Sequence, residues 1–466
     1  MEKLVLVLDC GATNVRAVAI DTTGKIHAIH SVPNNTRPDP FFKGGLIWDI
    51  DEIWGKLIKC IQLVIKQIDS NNLSAVTITT FGVNGAPVDK SGNLLYPVIS
   101  WQCQRTVSVM NEIEKFIPLE RLYQISGVQN FSFNTIYNFI WYKQNMPEIL
   151  DKMETFLFIP SLFVKKLTGE KKNDSSMAGT SMLTDIYSRN FSDEILNAIG
   201  VDNKFQKPAE PGTIAGKVTK AAAGETGILE GTPVVLAGHD TQFALFGSGA
   251  KENEPVLSSG TWEILMVRSK EVSTGKSMLD QKVTNELDAL PGLFNIGVQW
   301  LASGVMEWVK NMFFHSELNL SSDALYKLMI DEASQITEVN GRIDFNPDFL
   351  NNKGAISGIG MHTRRGNIYR AALESMAFNT KNGLNLIEKA GGFKASSLLV
   401  VGGGAKNNLW NQIRANCLQI PVKIIDISET TVLGAALFAF AGVGLFSSAD
   451  EARKMVLYNP KSIFPE

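Results

Sequence analysis

The sequence predicts an α/β protein built from two related lobes, and three observations predict it. The chain opens LVLVLDCGATNVRAVAID, a buried-looking strand that turns through small polar residues and resumes as a strand, so its glycine turn opens no helix. That outline returns at EPVLSSGTWEILMVRS (254–269): strand, small-polar turn, strand. Elsewhere, short apolar runs ending at turn residues alternate with segments whose apolar residues recur at helical spacing.

Taken in order, LVLVLD, VRAVAID and KIHAIHSV are separated by GATN and TTGK and read as an antiparallel meander. Residues 50–68, IDEIWGKLIKCIQLVIKQI, carry helical periodicity, and SAVTITTFG (74–82) reads as a strand feeding a loop. NEIEKFIPLERLYQIS, TIYNFIWYKQNMPEIL and SLFVKKLTG read as helices, and GTPVVLAGHD (231–240) as a buried strand ending in a carboxylate. In the second half, 366–391 is a long amphipathic helix, SSLLVVGGG a strand reaching three glycines, NNLWNQIRANCLQ a helix and VKIIDI a strand. TTVLGAALFAFAGVG is a helix of small residues suited to close packing. The expected division is 1–246 and 247–466, with no long linker between the halves.

Composition narrows the function. The 466 residues are 44% hydrophobic and 20% charged, enough to bury large cores. Lys and Arg total 44 against 47 Asp and Glu, a net charge of −3, which gives no electrostatic reason to expect nucleic acid or an anionic membrane as partner. Small molecules are the expected ligands. The apolar run of MEKLVLVLDC is too short for a signal peptide or anchor, so a cytoplasmic location is expected. Cys10, Cys60, Cys103 and Cys417 are scattered without a CxxC pair, which suggests neither a zinc site nor a disulfide framework.

Several stretches carry chemistry. A turn of Gly11, Ala12, Thr13 and Asn14 offers backbone N–H groups and a hydroxyl to phosphate oxygens. Arg16 can offset phosphate charge, and Asp9 at the strand end can hold Mg²⁺ alongside water and phosphate. The competing account is a plain hairpin capped by Asp9. Asp240, in LAGHDTQFALFG, follows an apolar strand, where a general base can be held rigidly; alternatively it caps the next helix. His239 has no metal-ligand partner at i+3 or i+4 and reads as a hydrogen-bonding group. In SSGTWE, Ser259, Gly260 and Thr261 repeat the small-hydroxyl turn and can meet phosphate, or form an ordinary tight turn. Gly402, Gly403 and Gly404 let backbone approach a nucleotide closely, but Asn407 leaves a G-x-G-x-x-G fingerprint incomplete.

With two hairpin-led halves, a phosphate turn after Asp9, Asp240 at the junction and a late GGG turn, the chain resembles the FGGY family of sugar kinases. VLDCGATNVRA, TTFGVNGAPVDKSGNLLYPVISWQCQRT, MAGTSM, AGHDTQFALFG, QWLASGV and VGGGAKNNLWNQIRAN carry the resemblance nearly end to end, most closely to members acting on L-fuculose. The resemblance implies the two-lobed actin, Hsp70 and hexokinase-like (ribonuclease H-like) fold with an ATP cleft between the lobes. It implies phosphoryl transfer from ATP, with Mg²⁺, to the 1-hydroxyl of L-fuculose in L-fucose catabolism. Asp240 matches the family's general base and Asp9 its Mg²⁺ anchor. Gly11 to Asn14 with Arg16 match the first phosphate segment; Thr261, Ser303, Gly402 to Gly404 and Asn407 match the remaining ATP contacts. Gly82, Asn84, His239, Thr241 and Asn295 fall where relatives hold the ketose, and Trp101 stands either against the sugar's methyl end or in the core. Other ketose kinases, for L-rhamnulose, D-ribulose or D-xylulose, and an actin- or Hsp70-like ATPase are the alternatives. A homo-oligomer remains open. The literal string FGGY is absent.

Overall fold

The computed structural model describes residues 3–336, 343–427 and 429–466. The chain forms two compact units, neither continuous in sequence. Unit 1 holds Met1–Gly249, Lys270–Asn295 and Glu429–Leu457; unit 2 holds Ala250–Ser269, Ile296–Ser428 and Tyr458–Glu466. The division expected after residue 246 lies close to the first boundary, but two later segments also pack into unit 1.

Unit 1 is built on a six-stranded sheet. Strands β1 (Leu4–Cys10), β2 (Asn14–Asp21) and β3 (Ile26–Pro33) form the antiparallel meander expected from the sequence, with Asp9 opposite Arg16. Helix α1 (Ile50–Ile65) follows; the Asp49 side chain caps it by accepting from the N–H groups of Asp51 and Glu52. Its Ile53, Trp54, Leu57, Cys60, Ile61 and Val64 are buried at helical spacing. Strands β4 (Leu73–Thr80), β5 (Ile214–Lys217) and β6 (Pro233–His239) complete the sheet in the order β5-β6-β4-β1-β2-β3. Every residue of β1 is buried, as a central strand covered on both faces requires.

The central pairings position the chemistry. β1 and β6 both run parallel to β4, with Asp9 opposite Thr79 and His239 opposite Thr80. The carboxyl ends of three strands therefore lie side by side, where ligands bind in open α/β sheets. Threonine hydroxyls lock these ends: Thr80 donates to the Cys10 carbonyl at 2.9 Å and Thr79 to the Gly238 carbonyl at 3.0 Å. Helix α2 (Asp240–Gly247) leaves β6 at once. The small-residue helix Thr430–Gly442 packs on it so closely that a Cβ at Gly434 would sit 2.0 Å from the Phe243 carbonyl oxygen. Small residues make that approach possible, as the sequence suggested.

In unit 2, strands β7 (Val256–Ser259) and β8 (Trp262–Ser269) form the second hairpin, and β9 (Phe294–Leu301) lies beside β8. Helix α3 (Arg365–Gly391) precedes β10 (Leu398–Val401), which pairs parallel with β7. Helix α4 (Asn408–Leu418), β11 (Val422–Ile424) and β12 (Lys461–Ile463) follow, with β11 parallel to β10. Prolines explain two departures from the expected helices. The stretch 111–126 yields only short pieces before helix Leu119–Ser126, whose N-cap is Pro118, because a proline disfavours helical backbone in the residue before it. TIYNFIWYKQNMPEIL likewise breaks at Met146 into Thr135–Asn145 and Pro147–Lys152.

Candidate active site

The site in unit 1 grows from the carboxyl ends of β1, β4 and β6. After β1 the chain turns through Gly11, Ala12 and Thr13 directly into β2, with Thr13 and Asn14 exposed. A Cβ on Gly11 would lie 2.8 Å from the Asn14 carbonyl oxygen, so the turn is as tight as its glycine permits. Asn34, a residue the sequence reasoning passed over, braces it: its side chain donates to the Gly11 carbonyl at 3.0 Å and its N–H to the Thr13 carbonyl at 2.7 Å.

Asp9 is nearly buried and is bonded by Arg16, whose Nε lies 3.0 Å from Oδ2. Arg16 also reaches Glu429 at 2.7 Å. Burial pushes the Asp9 carboxyl up to about 6; Arg16 pulls against this, while the charges of Asp240 and Glu429 push the same way as burial. One guanidinium thus serves two acids, Asp9 and Glu429, and a hard oxygen donor in such surroundings fits Mg²⁺. Among the described residues no group of three or more His, Cys, Asp or Glu side chains is arranged to hold a metal ion.

Asp240 is the first residue of α2, and the N-cap is His239, without a side-chain capping bond. The capping account of Asp240 therefore fails, leaving a carboxylate whose side chain is 32% exposed. Thr241 donates its hydroxyl to Asp240 Oδ1 at 3.2 Å. His239 lies between two acids, with Nε2 3.4 Å from Asp240 Oδ1 and Nδ1 3.4 Å from Glu286 Oε2. Burial works to lower its pKa, but Glu286, Asp240 and Asp174 outweigh it and the imidazole sits above its ordinary value. Glu286 also accepts from Gln242 at 2.6 Å. Gly82 lies under the imidazole: a Cβ there would be 3.0 Å from His239 Nε2.

Beside Gly82, Val83 adopts φ +65°, a strained conformation for a β-branched residue, and turns Asn84 inward. Asn84 is fully buried; its Oδ1 accepts from Trp48 Nε1 at 2.9 Å and from the Trp101 N–H at 3.1 Å, while Nδ2 has no partner. Asn295 is also fully buried, with both amide atoms unpartnered. Orphaned amide groups of this kind suit a polyhydroxylated ligand.

Asp174, Glu286 and Glu429 were missed from the sequence because segments far apart in the chain bring them to the site; Gln242 stands two residues after Asp240, and only its bond to Glu286 gives it a place there. Asp174 is buried, accepts from Ser176 Oγ at 2.6 Å and from the Met177 N–H at 2.8 Å, and presses on Gly238, where a Cβ would fall 2.0 Å from its Oδ1. Ser176 in turn accepts from the His239 N–H at 3.0 Å, so this acid sets the strand end that presents the base. Burial pushes Asp174 up to about 6 from an ordinary value of 3.8, its hydrogen bonds opposing. The native state therefore holds this proton to higher pH than the unfolded chain, and stability falls as pH rises from about 4 to about 6. An Asp174→Asn variant lacks that titration. Between pH 4 and 7.5 its stability relative to wild type should improve by on the order of 2–3 kcal/mol in urea unfolding; an equal difference at both values would refute the assignment.

In unit 2, Thr261 is exposed at the tip of the second hairpin. The Ala302 N–H donates to the Thr261 carbonyl at 3.0 Å and the Ser303 N–H to the Gly260 carbonyl at 3.2 Å, joining the start of helix Ser303–Phe313 to that turn. After β10, Gly402 at φ +88° leads into a short 3₁₀ turn, Gly403–Lys406. Asn407 caps α4, its side chain accepting from the Trp410 N–H at 3.0 Å and donating to the Tyr369 hydroxyl at 3.2 Å. That side chain is thus engaged in structure, and the exposed glycine backbone is the freer surface.

The model for the FGGY family of carbohydrate kinases matches the chain twice, its N-terminal domain over residues 4–247 and its C-terminal domain over 256–443. The chain belongs to the FGGY family of carbohydrate kinases. This FGGY kinase is 47% identical to the L-fuculokinase of Escherichia coli K12 across 100% of this chain and 98% of that protein. It is 43% identical to the Haemophilus influenzae L-fuculokinase, with 99% of each chain covered. Its fold matches the crystal structure of xylulose kinase from Rhodospirillum rubrum with a TM-score of 0.88 at 18% identity, covering 100% of this chain and 94% of that one. The actin- and hexokinase-like fold expected from the sequence is therefore the fold of this FGGY kinase, a phosphotransferase with an alcohol acceptor. Among the described residues, no helix is long and apolar enough to cross a membrane.

Proposed function

We propose that this chain transfers the γ-phosphoryl group of ATP to the 1-hydroxyl of L-fuculose, giving L-fuculose 1-phosphate and ADP. The observation that carries the reading is Asp240: a partly exposed carboxylate at the carboxyl end of β6, not used as a cap, beside His239 and the inward-turned Asn84 segment. Full-length similarity to proteins named L-fuculokinase supplies the sugar.

Phosphoryl transfer depends on in-line placement and charge stabilisation. Asp240 orients the sugar hydroxyl and accepts its proton as the oxygen attacks phosphorus. His239, held above its ordinary pKa, donates to a sugar oxygen, and the free Nδ2 of Asn84, with Thr241 and Asn295, completes the sugar contacts. Gly11 to Asn14 and Arg16 receive phosphate oxygens in residues 1–246. In 247–466, Thr261 and Ser303 receive phosphate and Gly402 to Gly404 with Asn407 meet adenosine. Asp9 would hold Mg²⁺, which neutralises phosphate charge when bound. The chain's composition and its absence of a membrane-spanning helix among the described residues are consistent with a cytoplasmic enzyme.

The test is coupled ADP release across L-fuculose, L-rhamnulose, D-ribulose, D-xylulose and glycerol. The highest kcat/KM is expected with L-fuculose; a preference of tenfold or more for another sugar would replace the substrate, and ATP hydrolysis indifferent to sugar would remove the kinase reading. Thr261→Val removes one hydroxyl while preserving shape. It should raise KM for ATP by about 10- to 150-fold, the range of one hydrogen bond to a charged group, with KM for the sugar unchanged. Unaltered ATP dependence would take Thr261 out of the phosphate turn.

A further inference from the structure

Beneath the hairpin turn of unit 2 lies a buried polar cluster with no part in the chemistry above. Glu263 on β8 and Arg414 on α4 form an ion pair with neither side chain exposed. Glu263 also accepts from the Ser259 hydroxyl at 2.7 Å and from Trp300 Nε1 at 2.9 Å. Arg414 donates to Ser259 Oγ at 3.1 Å and to Asn411 Oδ1 at 2.9 Å, and its guanidinium stacks 3.7 Å from the centre of the Trp410 ring. Asn411 continues the chain of bonds by donating to the Ala405 carbonyl at 2.8 Å, inside the turn Gly403–Lys406.

The same two turns also meet directly. A Cβ on Gly402 would lie 2.8 Å from the Ser259 carbonyl oxygen, and one on Gly404 2.0 Å from Ser259 Oγ. Ser259 is thus gripped by glycine backbone on one side and by the ion pair on the other. A fully desolvated ion pair is a poor way to gain stability, since apolar residues of similar volume do as well or better. What the guanidinium adds is direction, because its planar fork fixes two acceptors at once.

We propose that Glu263 and Arg414 act as positioning residues for the nucleotide, setting the spacing between the turn Ser259–Thr261 and the glycine turn Gly402–Lys406. This rests on assigning those turns to ATP. Neither side chain touches the nucleotide; the pair acts through the turns it spaces.

The experiment compares full-length wild type, Arg414→Lys and the double variant Glu263→Leu/Arg414→Met. It measures MgADP affinity by calorimetry without sugar, KM for ATP and for the sugar, and melting temperature. The double variant removes both buried charges, so it should melt near wild type, yet bind MgADP about 10- to 100-fold more weakly with KM for ATP raised to match. KM for the sugar should not move, and Arg414→Lys, which keeps the charge and loses the fork, should fall between. Wild-type ADP affinity in the double variant, or its failure to fold, would overturn the proposal and make the pair purely structural. Absence of MgADP binding to the wild type would instead remove the ATP assignment, and the positioning role with it.

Discussion

Asp240→Asn should lower kcat by about 10²- to 10⁴-fold while MgADP affinity stays at the wild-type value. The amide keeps the shape of the carboxylate but cannot take the proton of the attacking hydroxyl. Stability should not suffer, because Asp240 caps nothing and its charge adds to the burial that already pushes Asp9 up to about 6. Removing that charge should therefore leave the melting temperature unchanged or raise it, and the Asp9 carboxyl should titrate lower in the variant. The pattern of lost turnover, retained nucleotide and undiminished stability belongs to a catalytic acid group and to no structural role. Turnover within a few-fold of wild type would refute the base assignment, and a melting temperature several degrees lower would give Asp240 a supporting role in the fold.

The parts of the site legible in the sequence are those where local pattern and chemistry coincide. Gly11 to Asn14 stand between two apolar runs, so the hairpin and its tight turn follow from adjacent residues. Asp240 ends an apolar strand and begins a helix, which exposes it by geometry that a short window already contains. Glu286, Asp174 and Glu429 were not legible, because each reaches the site from a distant segment. Glu429 belongs to unit 1 because the helix that follows it packs on α2 through Gly434 and Gly247, a contact read only in three dimensions. The Asn84 amide was legible as a position. Its role was not, since that depends on the backbone strain at Val83 and on which amide atom is left without a partner. The twofold duty of Asn407 was hidden in the same way: the sequence placed it beside the glycine turn, and only the structure shows its side chain spent on capping α4.

Arg105→Leu should destabilise the protein by about 3–5 kcal/mol, the cost of leaving one member of a buried ion pair alone. Arg105 and Asp39 have no exposed side-chain surface, and the Tyr96 hydroxyl donates to Asp39 at 2.7 Å. The guanidinium lies 4.6 Å from the Phe42 ring centre and 4.8 Å from that of Trp141. Burial alone would raise the Asp39 carboxyl, but Arg105, the Phe41 N–H and Tyr96 outweigh it and hold it below its ordinary value of 3.8. Without Arg105 the buried carboxylate would take up a proton readily, so the loss should be smaller at pH 4 than at pH 7. The double variant Asp39→Leu/Arg105→Leu should recover part of it, because no uncompensated charge remains. The effect should also reach the sugar. Arg105 closes a segment whose other end, Trp101, donates to Asn84, and within which Cys103 accepts from the Leu46 N–H. Loosening that segment frees the Asn84 side chain from one of the two donors that orient it, so KM for the sugar should rise while KM for ATP stays put. Urea unfolding at the two pH values and the two Michaelis constants check this together. A loss independent of pH would deny the role of Asp39, and equal rises in both constants would mean that the damage is general and does not run through Asn84.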